Sequence, residues 1–104
     1  MAKFTNREPS LALYRAILQL KDLDECQKFF EDVCTVTEMR SMEQRYDVAV
    51  LLSHGKIYND ILTQTGASSA TISRVSRMLN FGTGVLKSYA EKEEPAPTEE
   101  KTEK

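Results

Sequence analysis

A chain of 104 residues carrying a net charge of −2 has room for one domain and a modest core. Hydrophobic residues make up 40% of it, yet no run approaches the roughly 18 apolar residues that a membrane helix needs. The opening MAKFTNREPS lacks the apolar stretch of a secretory signal, so a cytoplasmic protein with no membrane association is expected.

The charge is unevenly spread. Residues 1–53 hold seven basic and nine acidic side chains, residues 54–90 four against one, and residues 91–104 three against six. The balance therefore runs −2, +3, −3 along the chain. The final EKEEPAPTEEKTEK has no aromatic or β-branched aliphatic side chain and cannot offset its ordering entropy. This predicts an N-terminal arm over 1–8, a helical domain over 9–90 and a disordered acidic tail over 91–104.

Helix is the expected state almost throughout. Pro9 suits a first helical position, with Leu11, Leu13, Tyr14, Ile17, Leu18 and Leu20 behind it. KDLDE interrupts that run, and Leu23, Cys26, Phe29, Phe30, Val33 and Cys34 then recur at helical spacing. Eight residues of one helix rise about 12 Å, too far for a Cys26–Cys34 disulfide. The pair reads as reduced, buried thiols. With a single histidine and no cysteine pair at ligand spacing, neither a metal nor another cofactor is expected.

Thr35 with Glu38 forms a capping-box pattern, with Thr37 an alternative cap. The helix that follows reaches about Ser53 and is apolar nearly all round over residues 46–52. Such turns want cover on every side. A central helix in a monomer would supply it, and so would a second subunit, which is the favoured reading for so short a chain. Gly55 ends this helix. A short helix with Ile57, Ile61 and Leu62 comes next, then a turn at Gly66, a helix capped by Ser68 with Ile72, Val75 and Leu79 on its apolar side, and a last short helix, VLKSYA.

The hydroxyl-rich TGASSATISRVSR, residues 65–77, admits three chemistries. A serine nucleophile needs a base and a group to orient it, but His54 has no committed carboxylate and G-x-S-x-G is absent. No catalytic residues are assigned, and an enzyme is not expected. Gly66 stands alone, without a P-loop pattern or a preceding strand. A helix-turn-helix fits: two short helices, a glycine turn, and a second helix apolar on one side and small or polar on the other. Ser69, Ala70 and Ser73 are then candidates for base edges, with Thr71 beside them in the first turn, and Ser68, Arg74 and Arg77 for phosphate. The bland alternative is a helical interaction or scaffold protein in which the same turn is only architecture. The absence of acid from residues 61–90, against Arg74, Arg77 and Lys87, favours double-stranded DNA as partner.

The run TVTEMRSMEQRYDVAVLLSHGK with ILTQTGASSATISRVSRMLNFGTG resembles the tryptophan repressor (TrpR) superfamily, in its YerC/YecD-type branch of small TrpR-like proteins. The resemblance covers about residues 10–90. It implies an all-α fold of about six helices, an interlocked homodimer, two helix-turn-helix units and a transcription-regulating, repressor-type function on DNA. It also implies a small-molecule effector site at Thr35, Arg45 and Arg74, where an arginine pair grips a carboxylate and stacks on a ring. Val75 stands where the repressor has glycine, and Met78 where it has a small serine. Both bulkier side chains would fill the indole pocket, which counts against tryptophan. Asp60 and Thr63 replace basic residues of the first motif helix, which counts against the tryptophan operator.

Overall fold

The computed structural model describes residues 8–95, and every described element is a helix. In chain order these are α1 Ala12–Leu18, α2 Leu23–Val33, α3 Val36–Ser53, α4 Tyr58–Thr65, α5 Ser69–Phe81 and α6 Val85–Lys92. The all-α architecture of six helices is as expected. Residues up to Val36 and residues from Thr37 form two compact units.

In the first unit α1 begins at Ala12, three residues after Pro9. Leu11 occupies the N-cap position and has no side-chain oxygen for the free N–H groups, so this end is uncapped. α2 is better defined. Asp22 accepts from Glu25 N at 2.8 Å, and Glu25 Oε1 accepts in return from Lys21 N at 3.1 Å. The KDLDE interruption is thus a helix start. Phe29 and Phe30 meet edge to face with ring centroids 5.4 Å apart. Cys26 lies within α2, while Cys34 is its C-cap with an extended backbone. Both thiols are unpaired and half-buried, not enclosed as expected. No residue of α1 or α2 is buried in the chain.

The second unit holds the core. Val48, Ala49, Val50 and Leu51 of α3 are buried with Ile61, Ala67, Ile72, Val75 and Ala90. Tyr46, Leu52, Leu62, Met78, Leu79 and Leu86 pack around them. The apolar turns of α3 are therefore covered within the chain by α4, α5 and α6, and need no second subunit. That corrects the reason for expecting one: large apolar side chains stand uncovered elsewhere, in the first unit at Leu18 (84% exposed) and Leu23 (76%), and in the second at Phe81 (82%) and Ile57 (63%).

Two backbone bonds close α3, from Lys56 N to Leu51 O and from Gly55 N to Leu52 O, both 3.1 Å. With Gly55 at φ 75° this is a Schellman stop. Within this stop, His54 Nε2 donates to the carbonyl oxygen of Glu93 at 2.7 Å. α6 continues through Glu91 and Lys92, so these two residues of the expected tail are helical. Residues 1–7 of the expected arm and 96–104 of the expected tail lie outside the described residues.

Candidate nucleic-acid interface

The turn between α4 and α5 is built by short-range chemistry. Gly66 sits at φ 71°, a left-handed conformation that other residues adopt only under strain, and its N–H bonds Leu62 O at 2.9 Å. Thr65 Oγ1 donates to Ile61 O at 2.7 Å and accepts from Ala67 N at 3.1 Å. Ala67 then turns inward and is buried. Ser68 starts α5 by accepting from Thr71 N at 3.1 Å, and its hydroxyl donates to Thr71 Oγ1 at 3.1 Å. The Ser68 cap is as the sequence suggests.

α5 divides cleanly. Ile72 and Val75 are buried, while Ser69, Ala70, Ser73, Arg74 and Arg77 are exposed. Thr71 is half-buried and Ser68 exposed. A single helix therefore carries small groups, hydroxyls and two guanidinium groups outward from one rigid base. Its first N–H groups lie beside short side chains, which lets an anion approach closely.

The other candidate residues are spread more widely. Arg45 on α3 and Arg74 on α5 are exposed, Val75 is completely buried and Met78 half-buried. Thr35 is exposed in the first unit, immediately before α3. A separate cleft of roughly 380 Å³ lies among Tyr46, Asp47, Gln64, Thr65 and Glu93, over the buried Val50 and Leu51. None of the effector candidates lines it. Partial burial, and secondarily the Glu93 carboxylate, push the Tyr46 phenol above its ordinary range.

Two further side chains brace the motif. Gln44 Nε2 on α3 donates to Thr65 O at 3.0 Å, and Tyr58 Oη on α4 donates to Ser69 O at 3.2 Å. Neither is legible in the sequence, because the partners are 21 and 11 residues away.

A profile of the Trp repressor protein family matches residues 10–94, nearly all of the described chain. The chain belongs to the Trp repressor family. Trp repressor family members are non-enzymatic DNA-binding regulators. Over 70 residues this member is 56% identical to the uncharacterized Bacillus subtilis protein YerC, a span covering 67% of each chain. A Staphylococcus aureus crystal structure proposed as a Trp repressor matches with a TM-score of 0.78 and 40% identity, over 88% of this chain and 93% of that one. A TrpR-like protein from Eubacterium eligens matches with a TM-score of 0.74 and 52% identity, over 77% and 82% respectively. The YerC-type branch of the Trp repressor family is thereby established. No described helix is long and apolar enough to cross a membrane.

Proposed function

We propose that the chain is a sequence-specific transcriptional regulator that binds double-stranded DNA as a homodimer. The observation that carries this reading is the division of α5. Ile72 and Val75 anchor it, while Ser69, Ala70, Ser73, Arg74 and Arg77 face outward without an acidic residue among them. Ser69, Ala70 and Ser73 meet base edges, with Thr71 shaping the first turn. Ser68, Arg74 and Arg77 hold phosphate. The homodimer is supported by Leu11, Leu13, Leu18, Leu23 and Val33 of the first unit, large apolar side chains that stand exposed in the single chain.

Effector binding, on this reading, involves Thr35, Arg45, Arg74, Val75 and Met78, and the effector is not tryptophan. Val75 is 0% exposed, so its side chain fills space beside Arg74 that a flat ring would require. Calorimetry with L-tryptophan is expected to give no heat and no change in DNA affinity.

The deciding experiment is a mobility shift against genomic fragments, with wild type and a Ser69/Ser73/Arg74 triple alanine variant, over a range of salt. Wild type is expected to select fragments, to lose affinity steeply with salt as phosphate contacts release counterions, and to lose selectivity in the variant. No selective binding by wild type at low salt would refute the reading. A stoichiometric protein partner that co-purifies without nucleic acid would replace it with a helical interaction or scaffold role.

A further inference from the structure

The hydroxyl of Tyr58 reaches across the motif to the first turn of the reading helix. Tyr58 opens α4, and its Oη donates to the carbonyl oxygen of Ser69, the first residue of α5, at 3.2 Å. The residue is 44% exposed, which is unusual for an aromatic side chain whose only purpose is core filling. Its hydroxyl thus meets the backbone of a helix whose Ser69, Ala70 and Ser73 are all exposed.

We propose that Tyr58 is a specificity-determining positioning residue, setting the pitch at which α5 is presented to DNA. The inference rests on the regulator reading above. α4 and α5 are joined covalently at the Gly66 turn and packed together through Ile61, Ala67, Ile72 and Val75. Packing of that kind resists separation but resists rotation of one helix on another less well, because apolar contacts are not directional. The Tyr58 bond adds the missing directional constraint, at the open end of α4 away from the turn. It acts on the carbonyl that the helical ladder also assigns to Ser73 N–H, so it holds the turn bearing both base-edge serines.

The lever arm explains why one bond at the surface matters. Ser73 lies about 6 Å along the axis from Ser69. A tilt of about 10° would move it by about 1 Å, beyond the roughly 0.5 Å tolerance of a preorganised site. Phosphate contacts through long, adaptable arginines survive such a shift, and short serine contacts do not. Losing the hydroxyl is therefore expected to remove discrimination between sequences while leaving general DNA affinity in place.

The test compares wild type with Tyr58→Phe, which keeps the ring and deletes only the donor. The probes are a duplex selected by wild-type protein from a random double-stranded library and a random-sequence duplex of equal length. Both are titrated by fluorescence anisotropy at several salt concentrations, with thermal melts as a control on folding. The expected result is a roughly five- to hundredfold loss of affinity for the selected duplex, the scale of one base contact, with unchanged random-duplex affinity and salt slope. Hydrogen exchange at Ser73 N–H should quicken in the variant.

Equal losses on both duplexes would overturn the inference, because Tyr58 would then be a phosphate contact. An unchanged ratio with unchanged exchange would overturn it too. Wild type that selects no duplex would bring down the regulator reading and this inference with it, whereas a selective wild type matched by its Phe variant sinks this inference alone. Should Tyr58→Phe melt markedly lower than wild type, Tyr58→Leu serves as the second comparison. Selectivity that follows melting temperature across the three proteins would then refute a positioning role.

Discussion

Gln44 and Thr65, 21 residues apart, are joined by a hydrogen bond of 3.0 Å from the Gln44 amide to the Thr65 carbonyl, where α4 ends. That carbonyl belongs to the last turn of a helix and has no intrahelical donor. The bond is half-buried, so losing the donor leaves an acceptor poorly reached by water. Gln44→Leu is expected to destabilise the fold by about 1 kcal/mol, or roughly 4–8 °C in Tm. Gln44→Glu should be worse, since an anionic acceptor would face a carbonyl oxygen. A Glu variant melting above the Leu variant would show that the bond is not what holds this end of α4.

Gly66 offers a second test with a clear sign. No atom lies within 4 Å of a Cβ built there, so alanine would meet no clash. The whole penalty of Gly66→Ala is then the left-handed backbone at φ 71°, about 1–2 kcal/mol. Chemical denaturation should find that loss with an unchanged denaturant slope. A neutral or stabilising outcome would mean that the turn relaxes to another conformation.

The first unit separates monomer from dimer. Leu18 and Leu23 are 84% and 76% exposed in the single chain. On a monomer surface Leu18→Glu and Leu23→Glu should stay within about 0.5 kcal/mol of wild type. On the homodimer reading each charge enters an apolar interface, and sedimentation should show dissociation at concentrations where wild type is dimeric. Monomeric wild type at micromolar concentration would remove the premise.

Tyr46 makes a prediction at high pH. Its folded pKa is raised, first by burial and then by Glu93, above the unfolded value near 10. The neutral phenol therefore supports the fold fully below the unfolded value, and the contribution is lost as pH rises through the folded one. Glu93→Gln should lower the Tyr46 pKa without returning it to the ordinary value, because burial is the larger cause. Phenolate absorbance, taken as the difference from Tyr46→Phe, would read this directly. No change in Glu93→Gln would mean that the carboxylate does not act on the phenol.

The parts that could be read from the sequence are those made by neighbours in the chain. Gly66 needs only its own backbone to be a turn, Ser68 needs only Thr71 to be a cap, and Ile72 with Val75 shows its buried side by spacing. The start of α1 is not legible, because Pro9 suits a helix start but supplies no acceptor for it, and the helix begins at Ala12. Cover for the end of α3 by later helices is not legible either, because the composition of one helix does not say which later helices return to it. Gln44 and Tyr58 left no trace for the same reason: their acceptors are backbone carbonyls, which any residue provides.

The bare first unit bears on how much of the protein persists in a cell. None of that unit's described residues is buried, so a newly made, unpaired chain offers quality-control proteases two helices without a fully enclosed side chain. On the homodimer reading, pairing shields that segment, and survival depends on meeting a second copy before degradation. Subunits made below a threshold rate would be cleared singly, and those above it would accumulate as pairs. Abundance would then respond to synthesis more steeply than in proportion.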